Sequence, residues 1–250
     1  MEKVLGKYKI LGNIRTSSML LGLDTKTNQK VAIKRHSITN KHDYTELKEL
    51  YHKNLLTVLD IIEDNKFTYL VYSHYEQDLE DYIDKKGKLE EKEVKDLMGQ
   101  LVGGYRKLVN SKLLHKNIKP RNIMISEGIL KLGDYPITDT SGAYTAPEII
   151  KEDKKFSSAS DIWSIGAVMH YMLNAKSLLI TATIDTTLIQ AQVTEHCLDF
   201  LIKCLDHDPM NRPIIEKIVL HPFMLPEGIV LPNITSLIRF AGGNIGTNNR

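Results

Sequence analysis

The sequence predicts an α+β fold in two lobes, a small strand-rich one and a larger helical one. Three observations predict it. Residues 1–75 read as short strands with one helix, residues 76–223 read as amphipathic or fully apolar helices, and residues 224–250 form a tail that turns Gly/Asn-rich from Gly242. A strand-rich part followed by a helix-rich part fits two packed bodies with a cleft between them.

Each element has its own signal. Residues 8–14, 19–24 and 30–35 alternate or run apolar between turn signals such as Thr27-Asn28, as strands do. Residues 41–51 set Leu47 and Leu50 among charged neighbours and predict a helix. Residues 56–63 and 67–73 predict two more strands around the polar turn Asp64-Asn65-Lys66. Val94, Leu97, Met98, Leu101, Val102, Tyr105, Leu108 and Val109 then recur at helical spacing, the mark of a long helix with a wide buried stripe. Residues 123–125 and 129–132 predict a short strand pair around Glu127-Gly128. A second helix, apolar nearly all round from Ile162 to Leu173, follows the candidate N-caps Ser157 and Ser158.

Composition narrows the partners. A chain of 250 residues with 42% hydrophobic content buries roughly 70–75% of its extended surface, so its core needs no staples. The net charge of +2 creates no demand for nucleic acid or an acidic membrane. Cys197 and Cys204 stand seven apart on one predicted helix and do not pair readily. Two thiols without a disulfide framework suit a reducing compartment, so cytoplasmic placement is expected, with the nucleus open as well. No charged-then-apolar leader opens the chain, and no apolar run approaches the roughly 18 residues a span needs, so no membrane partner is expected. The nine histidines show no metal-ligand spacing.

Short motifs follow one another along the chain. Gly12-Asn13-Ile14-Arg15-Thr16-Ser17-Ser18-Met19 precedes Val31-Ala32-Ile33-Lys34. Asp43 and Glu46 precede His52-Lys53-Asn54-Leu55, and the apolar-to-polar stretch from Tyr69 to Leu79 comes next. The octet His115-Lys116-Asn117-Ile118-Lys119-Pro120-Arg121-Asn122 is the most informative, and Asp134-Tyr135-Pro136 and Ala146-Pro147-Glu148 come after it. Asp161-Ile162-Trp163-Ser164-Ile165-Gly166, Asp208-Pro209-Met210-Asn211-Arg212-Pro213 and His221-Pro222-Phe223 complete the series. Over about residues 8–223 this series resembles the eukaryotic serine/threonine protein kinases, and the resemblance implies the two-lobed protein kinase fold. The departures are pseudokinase-like: His-Lys-Asn in place of His-Arg-Asp, Asp-Tyr-Pro in place of Asp-Phe-Gly, and a degraded glycine-rich loop.

The resemblance implies roles residue by residue. Lys34 pairs the α- and β-phosphates of ATP, and Gly12 is the surviving glycine of the phosphate loop, where Ile14 and Ser17 now add bulk. Asp43 takes the place of the helix glutamate that pairs with the lysine, with Glu46 on a neighbouring face as a substitute. Tyr72 is the gatekeeper, and the stretch from Ser73 to Tyr75 runs along the adenine edge. Ala32, Met19 and Met124 form an apolar sandwich, and Asp78 belongs to the same cofactor-binding set. Asn122 and Asp134 are the Mg²⁺ positions, and Lys119 contacts the transferring phosphate. Glu148 and Arg212 are expected to pair, a structural bridge. Pro136 stiffens its segment.

Asn117 stands where the family has its catalytic aspartate, and a carboxamide cannot take a proton from a hydroxyl. The function expected is therefore a catalytically impaired kinase-like protein that binds Mg-ATP and regulates or scaffolds a protein partner, another kinase among the candidates. Two alternatives remain at this level: a weakly active serine/threonine kinase, since phosphoryl transfer is mostly positioning and charge stabilisation, and an interaction module without nucleotide.

Overall fold

The computed structural model describes residues 4–14, 19–37, 44–134, 142–152, 155–178 and 192–226. Its first part is one antiparallel sheet of β1 (Val4–Leu5), β2 (Tyr8–Asn13), β3 (Met19–Asp24), β4 (Lys30–Ser37), β5 (Val58–Glu63) and β6 (Phe67–Ser73), in the order β1-β2-β3-β4-β6-β5. Successive side chains of a strand point to opposite faces. β6 accordingly sends Tyr69 and Val71 into a small cluster with Tyr8, Leu20, Val31 and Ile33, and Leu70 and Tyr72 into the main core. The five expected strands are present, and β1 is an addition. It is too short to carry a period, and Gly6 at φ +57° turns it back on β2.

The helix expected over 41–51 is α1, Thr45–Glu49. Leu50 ends it in an extended conformation, while Tyr44, Leu47 and Leu50 are buried. After the sheet comes α2 (Leu79–Lys86), a helix with a signal at each end. Asp78 caps it by accepting the Asp81 N–H at 2.9 Å, acids fill its first turn, lysines its last, and Gly87 at φ +84° follows.

α3 (Glu91–Asn110) buries the predicted stripe from Val94 to Leu108, with Val109 partly buried beside it. A 3₁₀ turn (Pro120–Asn122) leads into β7 (Ile123–Ser126) and β8 (Ile129–Leu132). Glu127 and Gly128, both at positive φ, make the two-residue hairpin turn between them. α4 (Pro147–Glu152) precedes α5 (Ser158–Asn174), whose N-cap is Ser157, locked with Ser160 in a capping box. α5 is buried nearly all round, as expected, and packs on α3 and on α6 (Glu195–Cys204). α7 (Ile215–Val219) and the turn Pro222–Met224 close the described chain.

The segment leading into β5 is tied to the helical part through β8. Leu132 N–H donates to Asn54 O and Leu56 N–H donates to Leu132 O, each at 2.9 Å. Gly133 is required there, because a Cβ would lie 2.2 Å from Leu56 Cδ1. This seam sets the residue that follows, Asp134, against the sheet. Among the described residues no helix is long and apolar enough to cross a membrane.

Candidate functional site

A cleft of about 830 Å³ opens between the sheet and the helical part. Its upper wall comes from the sheet. Ala32 and Lys34 are two apart on β4 and so share a face; Ala32 pairs with Tyr72 of β6, and Lys34 with Met19 of β3. Ser73, His74 and Tyr75 form the back edge, where the chain leaves β6. The lower wall holds Asn117, Lys119, Asn122, Met124 and Asp134.

The lower wall is wired through its backbone. Asp161 of α5, fully buried, accepts the His115 N–H on Oδ2 and the Lys116 N–H on Oδ1, both at 2.8 Å. Those two bonds hold Lys116 at φ +66°, a left-handed conformation that costs a non-glycine residue on the order of 1 kcal/mol or more. His115 Nδ1 accepts the Asn117 N–H at 3.2 Å, so Nε2 carries the proton and donates to Gly133 O at 2.9 Å. Burial pushes the His115 ring down to about 3, so it stays neutral as this geometry requires. Burial likewise pushes the Asp161 carboxyl up to about 6. Asn122 Nδ2 donates to Asn117 O at 2.7 Å, and Gly133 N–H donates to Asn122 O at 2.9 Å. Asn117, Asn122 and Asp134 are thus fixed relative to one another by hydrogen bonds.

Asp134 faces the sheet across the cleft. Its backbone is left-handed at φ +63°, its Oδ2 meets Lys34 Nζ at 3.2 Å, and its Oδ1 is buried without a hydrogen-bond partner among the described residues. A buried carboxylate oxygen left unsatisfied is costly, and a divalent cation is a fitting partner for it. Asn122 has its amide nitrogen committed to Asn117, which leaves its carbonyl oxygen as the second hard donor. Among the described residues no three His, Cys, Asp or Glu side chains cluster for a metal. The two oxygens of Asp134 and Asn122 fit Mg²⁺, which keeps its waters and binds through one or two protein oxygens plus phosphates.

The cleft gathers Met19, Ala32, Lys34, Tyr72, Ser73, Tyr75, Asp78, Asn117, Lys119, Asn122, Met124 and Asp134, twelve of the fourteen residues expected from the sequence. Gly12 does not line it. It sits on an exposed stretch of β2 at a register irregularity, and a Cβ there would touch nothing within 4 Å. Ile14 does line the cleft, as its bulk implied, and its N–H is committed to Met19 O at 2.7 Å. Asp43, Ser17, Tyr135 and Pro136 lie outside the described residues. Glu46 is exposed on α1. Asp78 reaches the cleft wall, but its side chain is the α2 cap, with Arg121 Nη1 at 3.6 Å from Oδ2. His74, within the expected adenine edge, and Arg121 of the octet also line the cleft. Arg121 contacts three acids from a distant stretch of chain, Asp78, Glu80 and Asp81.

Away from the cleft, Arg212 meets Glu148 in a fork at 2.7 and 2.8 Å, fully buried, with its Nε donating to Asp206 O and its plane 5.0 Å from the Trp163 ring. This is the expected bridge.

A family model described as the protein kinase domain matches residues 5–224. Among solved structures, the chain is similar to the crystal structure of Rad53 1-466 in complex with AMP-PNP, with a TM-score of 0.77 and 22% identity. The match covers 88% of this chain and 66% of that one, so the chain spans just under two thirds of that relative's length. At this identity the likeness establishes a shared fold. The family match, the two-lobed fold and the cleft together establish that the chain belongs to the protein kinase domain family.

Proposed function

We propose that this chain is a catalytically impaired protein kinase that binds Mg-ATP in the cleft and regulates or scaffolds a protein partner. The carrying observation is the contrast inside one cleft. Lys34, Asn122 and Asp134, the groups for a nucleotide and its metal, stand together with Asn117 at the place of the base. Ala32, Met19 and Met124 leave an apolar slot beside Ser73 and Tyr75, which suits a purine. Bound Mg²⁺ supplies neutralisation of phosphate charge, and Asn122 and Asp134 are the residues to hold it. Lys34 is placed to receive the phosphates from the opposite wall. Cys197 and Cys204 are free and buried, which supports the cytoplasmic placement proposed for the chain.

The test is thermal unfolding of the purified chain with ATP, with and without Mg²⁺, beside Asp134→Ala. At about 100 times Kd a ligand adds about 2.7 kcal/mol of stability. A Mg²⁺-dependent rise that disappears in Asp134→Ala is the expected result. Absence of any rise at millimolar ATP removes nucleotide from the reading. Phosphotransfer at the rate of an ordinary kinase, lost in Lys34→Ala, removes the impairment.

A second reading, a slow serine/threonine kinase, is favoured by Lys119, which lines the same cleft beside Asn117. On it, the Asn117 amide oxygen orients the attacking hydroxyl without deprotonating it. Purified protein that transfers no label from ATP excludes this reading.

A further inference from the structure

Outside the cleft, the segment after α1 crosses α3 and the β7–β8 hairpin on a stiff frame. Asn54 Nδ2 donates to Gln100 Oε1 at 3.0 Å and to Leu130 O at 2.8 Å. Gln100 in turn accepts the Leu130 N–H at 2.9 Å and donates to Gly128 O at 2.8 Å. α3 lies directly on this backbone, because a Cβ at Gly104 would be 2.7 Å from Asn54 O.

Three cations converge on the frame. Lys131 Nζ donates to Lys53 O at 2.9 Å. A Cβ at Gly103 would lie 3.7 Å from His52 Cε1, and Lys107 is one turn further along the same side of α3. The charged groups that act on the His52 ring are Lys53, Lys107 and Lys131, all of one sign. Tyr51, two residues before Lys53, is 76% exposed, and Ile129, which shares a face of β8 with Lys131, is 52% exposed.

We propose that this surface docks an acidic segment of a protein partner, its carboxylates meeting Lys53, Lys107 and Lys131 while an apolar side chain packs on Tyr51 and Ile129. Aromatic anchors next to charges on a rigid frame are where binding energy concentrates. Lysine is a strongly hydrated point charge that suits carboxylates. The exposed apolar pair calls for a partner with side chains to bury rather than a bare polyanion. The inference deepens the scaffold reading by naming the partner's chemistry, and it holds whether or not the cleft takes ATP.

The test uses the full chain and a fluorescein-labelled peptide of about twelve Glu and Asp residues around a central Leu-Phe pair, read by anisotropy at physiological ionic strength, where remote charges are screened. Saturable binding is expected. Lys53→Glu/Lys107→Glu/Lys131→Glu should weaken it by about tenfold or more, and Tyr51→Ala by about threefold. Lys66→Glu/Lys85→Glu/Lys217→Glu, three exposed lysines elsewhere, should leave it unchanged. If the triple reversal unfolds the chain, Lys53→Gln/Lys107→Gln, which spares the Lys131 bond, decides. The proposal is overturned by absence of saturable binding, by equal weakening in the control triple, or by single-stranded RNA of equal charge binding as tightly and being lost in the same variants. The ATP-dependent unfolding shift measured on these variants keeps the two readings separate: a docking loss with the shift intact belongs to this surface alone.

Discussion

Lys34 Nζ and Asp134 Oδ2 are 3.2 Å apart, so a cation on the sheet and a carboxylate on the loop after β8 close the cleft from opposite walls. Their side chains are 17% and 10% exposed. At that burial the pair contributes more than a surface bridge, and removing one partner strands the other. Lys34→Met should lower unfolding stability by about 1–3 kcal/mol in a denaturant titration. It should also release Asp134 for a divalent ion. Mg²⁺ without nucleotide should then raise the melting temperature of Lys34→Met more than that of the parent chain. An equal response in both means that Lys34 does not compete for that carboxylate.

Asn117→Asp tests how much of the impairment proposed for this chain lies in one atom pair. The backbone of residue 117 is held through His115 and Asn122, so the substitution changes the side chain alone. A positioned general base contributes roughly 10²–10⁴-fold. Asn117 is not the sole departure from the family pattern, however: Ile14 and Ser17 replace two glycines of the phosphate loop, Asp43 replaces a glutamate, and the fifteen residues from Asp134 to Glu148 make a segment short for the family. If these four act independently at about tenfold each, the deficit is about four decades, roughly 5–6 kcal/mol. Transfer of labelled phosphate should therefore rise in Asn117→Asp and stay well below the roughly 1–100 per second of ordinary kinases. A variant that reaches that range locates the whole lesion in residue 117.

The site was more legible than the elements that carry it. Lys34, Asn122 and Asp134 are far apart in sequence, yet each sits in a motif whose residue types are dictated by chemistry, so the cleft could be assembled before any geometry was known. α3 was legible because its apolar period survives over many turns. α2 went unassigned although its signal was present: Asp78 was assigned to the cofactor set, and the same aspartate is the N-cap that starts the helix. Gly12 shows the limit of a motif: a retained glycine implies a close approach to phosphate, and among the described residues no side chain or backbone lies within 4 Å of a Cβ there. Neither the Asp78–Arg121 contact nor the role of Asn54 under Gln100 leaves a local pattern, since both depend on segments meeting across long stretches of chain.

The Glu148–Arg212 fork should be the costliest polar contact to break. Both side chains are buried, and Arg212 also serves Asp206 O and Ala159 O. Arg212→Ala leaves a buried carboxylate unpaired and should cost about 3–5 kcal/mol. Arg212→Lys should recover little, because a point charge cannot reproduce the fork. Glu148→Gln/Arg212→Met should be more stable than Arg212→Ala, since neither member of the double variant leaves a lone charge. Equal losses in Arg212→Ala and the double variant rule out the unpaired charge as the cause.

His115 should leave a signature in the pH dependence of stability. Burial pushes its folded value down to about 3 from 6.5. Between those limits the unfolded chain binds a proton that the folded chain refuses, so this stability is complete above about pH 6.5 and is lost as the pH falls toward 3. Asp161, pushed up to about 6 from 3.8, acts in the opposite direction, because its folded carboxyl keeps a proton that the unfolded one releases. The two therefore offset each other over much of the acid range, and the raw curve of the parent chain conceals both. Subtraction separates them. The stability of the parent minus that of His115→Phe should rise with pH by up to about 1.4 kcal/mol per unit below 6.5 and be flat above it. The variant keeps Asp161 and its two backbone donors, so the Asp161 contribution cancels in the difference. A difference that is constant from pH 4 to 7 means that the buried ring takes up its proton as readily folded as unfolded, and the neutral His115 that joins Asn117 to Gly133 is then wrong.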